Sequence, residues 1–272
     1  LIGISHYTPT AKNRYGVQDL SGVQTDIKKL RDVFVKKFGN KNIATIPRNL
    51  DDNEWMITKK TINKDFLHIR AKISENNEND INKKIDGLIL YYAGHGYENE
   101  WLIDADGTKI SFHEIKRKFD KVQLTGLRDY PKLFFNDTCR EIHVKSYSDI
   151  KELVKRGKND ITLISGDEKE CKRDNMYTFY STSNTQGIYE NKKYGAKMAT
   201  AITNVFEHDI VNSEEVSLQK IELLTKNRIL SSIPDNNKEQ KINKFEQMPE
   251  VTNHLKSQYA FKFRKNDPNN DD

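Results

Sequence analysis

Cysteine is scarce: only Cys139 and Cys171 occur in 272 residues. That excludes a disulfide framework and fits a reducing, cytoplasmic setting. Also missing is any run of about 18 apolar residues, the minimum for a membrane-spanning helix, so no membrane partner is expected. No Gly-x-Gly-x-x-Gly or P-loop follows the first apolar segment, which weakens a nucleotide-binding reading. An excess of one charge is absent too. The net charge is +5, but lysines and arginines alternate with acids along most of the chain, so the basic balance reads as a solvated surface and not as a nucleic-acid face. No initiator Met precedes Leu1-Ile2-Gly3-Ile4-Ser5, which is strand-like from its first residue and reads as a domain cut from a longer chain.

What is present is organised around Ile85 to Gly96, IDGLILYYAGHG. Its apolar run from Gly87 to Gly94 reads as a strand buried on both faces of a parallel sheet. His95, between two glycines, then falls at the strand's C-terminal end, the edge at which open parallel sheets bind ligands. A second stretch, KLFFNDTCR from Lys132 to Arg140, has the same form: a short buried strand, Leu133 to Phe135, delivers Asp137 and Cys139 to a strand end. Cys139 lies 44 positions after His95 (139 − 95). A cysteine nucleophile needs a histidine close in space, not in sequence, and two strand ends supply that.

Around these stretches the pattern alternates between strand and helix. Leu1 to Ser5 is a buried strand, and His6 to Ser21 a polar loop. Val23, Ile27, Leu30, Phe34 and Phe38 mark a helix from Gly22 to Gly39, with Asp26 in its first turn beside the positive end of the helix dipole. Ile43 to Ile46 reads as a strand, Thr61 to Ile73 as a helix and Ser74 to Lys84 as a solvated turn. Trp101-Leu102-Ile103 and Thr108-Lys109-Ile110 flank Asp104-Ala105-Asp106-Gly107 as a hairpin. That turn has the start of a calcium loop without the rest, so it reads as a turn, and no cofactor or metal is expected. A short helix follows from Phe112 to Phe119. Further on come a weak helix at Ile150 to Val154, strands at Ile161 to Ile164 and Phe179 to Thr182, helices at Tyr194 to His208 and Val216 to Leu230, and a polar loop at Asp235 to Lys244. A last strand, Tyr259 to Phe263, precedes a disordered tail from Lys265 to Asp272. About six strands among five helices predict an α/β fold: a three-layer sandwich around a mostly parallel sheet, in one domain.

YYAGHGYEN at Tyr91 to Asn99 and FFNDTCRE at Phe134 to Glu141 resemble the caspase-like cysteine peptidases, more closely their paracaspase and metacaspase branches. LIGIS, the helix after Gly22, YSTSNTQGIYE at Tyr180 to Glu190 and the last strand extend the similarity over most of the chain. Caspases proper carry QACRG or a near variant where this sequence has DTCRE. The resemblance implies a six-stranded sheet between helices and a single peptidase domain over 1–264. Within it, a large-subunit-like part covers 1–143, a linker about 144–175 and a small-subunit-like part 176–264. It implies a dyad in which His95 is the base and Cys139 the nucleophile, with an oxyanion hole from the backbone N–H groups of Gly96 and Cys139. Paracaspases and metacaspases line the first specificity pocket with acids, and here those positions fall on Asp26, Asp137 and Glu190. A protein or peptide substrate with arginine at the cleavage site, or lysine less well, is the expectation, since two carboxylates grip a guanidinium bidentately.

The linker region from Lys145 to Arg173 holds eight basic residues, so self-processing there is expected of such an enzyme. Metacaspases often need calcium and paracaspases do not, and the motifs fit either. Homodimerisation through the last strand, YAFKF, is a further expectation from resemblance. Two alternatives stay open: a caspase-like scaffold of weak activity, and a caspase-like peptidase that cuts after aspartate. His6, His113, His143 and Cys171 read as ordinary surface or packing residues, and Tyr97 and Trp101 as packing beside the cleft.

Overall fold

The structure, a computed structural model, describes residues 1–51, 55–79, 87–97, 100–119, 130–138, 175–181, 190–191, 195–213, 215–231, 250–253 and 260–262. In chain order these form β1 (Ile2–Gly3), α1 (Pro9–Tyr15), α2 (Ser21–Phe38), α3 (Lys59–Asn79), β2 (Leu88–Ala93), β3 (Gly96–Tyr97), β4 (Trp101–Ile103), β5 (Lys109–Ser111), α4 (Phe112–Arg117), β6 (Lys132–Asp137), β7 (Met176–Tyr180), β8 (Glu190–Asn191), β9 (Gly195–Ala196), α5 (Lys197–Asn204), β10 (Glu215–Ser217), α6 (Leu218–Ser231), β11 (Glu250–Asn253) and β12 (Ala260–Lys262).

Alternation along the strands splits the core into two layers of side chains. Tyr91 and Ala93 of β2, Leu133 and Phe135 of β6, and Tyr177 and Phe179 of β7 share one cluster with Val23, Ile27 and Phe34 of α2 and Met198, Ile202 and Phe206 of the α5 region. The intervening residues Leu90, Tyr92, Phe134, Met176 and Tyr180 share the opposite cluster with Ile62 and Phe66 of α3 and Phe112 and Ile115 of α4. A sheet buried on both faces needs apolar residues in both registers, hence strands that are apolar throughout. The central sheet has the order β1-β2-β6-β7-β11. Its first four strands run parallel, and β11 runs antiparallel to β7. The expected α/β/α sandwich is therefore present, with five strands in the central sheet among the described residues where six were expected.

Several local expectations are corrected. Ile43 to Ile46 is no strand: Asn40–Asn42 is a 3₁₀ turn, and only a single bridge joins Ile46 to Ile2. The polar loop after β1 contains α1, capped by Thr8, whose hydroxyl accepts from Ala11 N–H, and closed by Gly16 in the left-handed conformation. α3 runs on through Asn79, so most of the supposed turn after Ser74 is helix: propagation adds a hydrogen bond per residue once the apolar face is docked. The strand over Tyr259 to Phe263 does not join the central sheet. Its paired part, β12, lies antiparallel to β10, and β11 takes the place beside β7. β10 also precedes α6, where a helix from Val216 was expected. The predicted elements at 150–154 and 161–164, the linker, the loop 235–244 and the tail lie outside the described residues. Among those described, no helix is long and apolar enough to cross a membrane.

Candidate active site

The pairing of β2 with β6 sets the frame of the site. Leu88 faces Lys132 and Ala93 faces Asp137, a constant offset of 44 positions (137 − 93). His95 and Cys139 differ by the same 44 (139 − 95), so each stands two residues past the last paired position of its strand. Cys139 itself lies outside the described residues. Thr138, just before it, is buried, and its hydroxyl donates to Asn136 Oδ1 at 2.9 Å.

His95 is held at three points. Its N–H donates to the Tyr7 hydroxyl at 2.8 Å, and its carbonyl accepts from Ile103 N–H at 3.0 Å. Its Nε2 lies 2.8 Å from the Gln18 carbonyl oxygen. A carbonyl only accepts, so Nε2 carries the proton and a neutral imidazole leaves Nδ1 as its basic nitrogen. The Ile103-to-His95 bond also identifies Gly96 and Leu102, which face each other in the β3–β4 ladder, as a pair without mutual hydrogen bonds. The N–H of Gly96 therefore points away from β4.

The acids assemble on the α2 side of the sheet. Asp137 follows Leu133 and Phe135 in alternation, is 4% exposed, and accepts from the Tyr91 hydroxyl at 2.6 Å. Asp26, 1% exposed, accepts from Ala196 N–H with both carboxylate oxygens, at 2.9 and 3.2 Å. Because α2 begins at Ser21, Asp26 sits in its second turn, and its partner is this amide from β9 rather than the helix terminus. Ala196 in turn pairs with Glu190 in the β8–β9 ladder. The fold thus ties the Asp26 side chain to β9, the strand paired with the one that carries Glu190; the Glu190 side chain lies outside the described residues.

A family model described as a caspase domain matches residues 1–260. The chain belongs to the caspase-domain family. Members of this family are cysteine peptidases. The caspase-domain fold is seen again in the crystal structure of caspase-1 from Spodoptera frugiperda, with a TM-score of 0.65 and 14% identity over 97% of this chain and 89% of that one. A comparison with curated protein sequences finds no match.

Other singled-out residues fall into place around this caspase domain. Asp104 is buried and its carboxylate accepts from the N–H groups of Lys59, Asp106 and Thr108, so it closes the β4–β5 turn and caps α3. Among the described residues no cluster of three or more His, Cys, Asp or Glu forms a metal site. Tyr97 packs edge-on against Tyr15, with the Lys109 ammonium 4.0 Å above its ring. His143 and Cys171 lie outside the described residues. Three contributors to the site were not foreseen: Tyr7, Tyr91 and the Gln18 carbonyl. A main-chain carbonyl leaves no trace in side-chain chemistry. Tyr7 and Tyr91 had one cue, their position beside strand ends on the ligand-binding edge.

Proposed function

We propose that the chain is a cysteine endopeptidase in which His95 and Cys139 form the dyad and in which cleavage follows a basic residue, arginine before lysine. The observation that carries this is the shared offset of 44 (137 − 93 and 139 − 95), which gives adjacent parallel strands a histidine and a cysteine at matching steps beyond their ends. With the Gln18 carbonyl on Nε2–H, His95 takes the Cys139 proton at Nδ1 and returns it to the leaving amine. The thiolate adds to the scissile carbonyl. The resulting oxyanion is met by the N–H groups of Gly96 and Cys139, a kind of donor worth about 3–4 kcal/mol each. Water then hydrolyses the thioester, with His95 acting once more as base. Asp26 and Asp137, both buried on the α2 side of the same edge, favour a cationic residue at the cleavage position, with Glu190 as third acid. The basic linker at 144–175 is the natural site of self-processing.

The test is hydrolysis of fluorogenic tetrapeptides ending in Arg, Lys or Asp by wild type and Cys139→Ala, with and without calcium. Cleavage after Arg that disappears in the variant is the expected result. Cleavage after Asp overturns the pocket and keeps the dyad, and inactivity on all substrates overturns both.

A further inference from the structure

Two glycines flank His95, and only the second has a role in the chemistry above. The first, Gly94, has φ +159°, and a Cβ there would lie 3.2 Å from the Tyr7 hydroxyl and 3.3 Å from that of Tyr92. Its bare backbone is what lets the Tyr7 hydroxyl come within 2.8 Å of the next amide, that of His95. The Tyr7 ring lies against the imidazole, with centroids 4.9 Å apart and planes at 58°. Tyr7 is itself fixed: it is 3% exposed, its hydroxyl donates to the Ile4 carbonyl at 3.3 Å, and its N–H donates to Asp19 Oδ1 at 2.9 Å. Asp19 directly follows Gln18, whose carbonyl orients the imidazole. Leu20 N–H donates to the Ser5 carbonyl at 2.8 Å and ties the same segment to the end of β1. One residue therefore reaches His95 by three routes: its hydroxyl to the His95 N–H, its ring to the imidazole face, and its own main-chain N–H to the segment that bears the Nε2 acceptor.

We infer that Tyr7 is the positioning residue of His95, acting on the imidazole's placement through its hydroxyl and ring without touching substrate. This rests on the reading of His95 as the catalytic base. Misplacing a reacting group by about 1 Å costs up to about a hundredfold in rate, and the loss appears in the chemical step and not in substrate binding.

Tyr92 supplies the control. Its hydroxyl is equally buried and borders the same Gly94, yet among the described residues it has no hydrogen-bond partner. The experiment measures kcat and KM on the Arg substrate, together with thermal unfolding, for Tyr7→Phe, Tyr7→Leu, Tyr92→Phe and His95→Ala. Tyr7→Phe, which keeps the ring and loses the acceptor, is expected to lower kcat about tenfold with KM unchanged, and Tyr7→Leu about a hundredfold. Tyr92→Phe is expected to match wild type in kcat. A Tyr7→Phe kcat within twofold of wild type overturns the assignment, as does an equal loss in Tyr92→Phe, which would mark a general packing effect. An active His95→Ala overturns the dyad reading itself. An inactive His95→Ala beside an unimpaired Tyr7→Phe removes the role of Tyr7 alone.

Discussion

A carboxylate buried at a binding edge serves a substrate cation only if its charge remains when a neighbouring donor is satisfied. Asp137 accepts from the Tyr91 hydroxyl and Asp26 from the Ala196 amide, donors that bring no positive charge of their own. Asp137→Asn and Asp26→Asn keep the shape and an acceptor oxygen while removing the charge. A hydrogen bond to a charged group is worth about 1.5–3 kcal/mol, so kcat/KM for the Arg substrate should fall roughly 10- to 100-fold in either variant. Alkylation of Cys139 by iodoacetamide should stay at the wild-type rate, because the dyad is untouched, and a slowed alkylation would place these acids in the dyad's support instead. At this scale the sequence showed side chains that stand at strand ends with turn-forming neighbours: His95 between glycines, Asp137 before the second turn. It did not show which donors those groups would meet, since Tyr7 and His95 are 88 residues apart and the Gln18 contact is made by the main chain.

Gly3 shows how closely the elements approach. A Cβ there would lie 2.6 Å from Ile27 Cγ1 and 2.9 Å from Val23 Cγ1, so α2 rests directly on the backbone of β1. Gly3→Ala forces the two apart, and overpacking of this kind costs about 1–3 kcal/mol, readable as a lower urea midpoint with unchanged m-value. A second tie joins α6 to the turn after α5. Arg228 donates to both carboxylate oxygens of Asp209, at 2.8 and 2.6 Å, and this bond holds the Asp209 carboxyl below the usual carboxylate range. A carboxyl lowered in the folded state adds stability that is fully present above its unfolded value, about 3.9, and is lost as pH falls through the folded one. Both groups are partly exposed, which limits the pair to roughly 0.5–1 kcal/mol. Asp209→Asn should lose that amount at pH 7 in urea melts, with the gap closing under strong acid. A gap that persists there would trace to packing. α2 was legible from its 3.6-residue period and Gly39. α1 was not, because only Ala11 of its residues is buried and its signal lay wholly in its caps, Thr8-Pro9 and Gly16. The bridge at Ile46 read as a strand because β-branched residues there suggested a longer pairing than the single bridge to Ile2.

The two side-chain layers meet on the central sheet, so truncation there is felt throughout the molecule. Phe135 of β6 is 1% exposed in the layer facing α2, and Phe135→Ala should cost about 3–5 kcal/mol. Calorimetry should show one cooperative transition shifted down, and two separated transitions would contradict a single folding unit. The sandwich as a whole was legible because fully apolar strands separated by amphipathic helices admit few other arrangements. Strand order and the antiparallel return of β11 were not, because Glu250–Asn253 carries no apolar run. The β2–β6 register has an evolutionary corollary. The relation between the ends of β2 and β6 is set by pairing between neighbouring strands, so the chain that connects them works as slack and not as a spacer. An insertion in that connection changes the numbering and leaves the alignment of the strand ends as it was. Doubling a loop's length costs only about 0.6 kcal/mol of closure entropy. Descendants of this chain are therefore at liberty to lengthen that stretch into new recognition surface while the two strand ends stay in register.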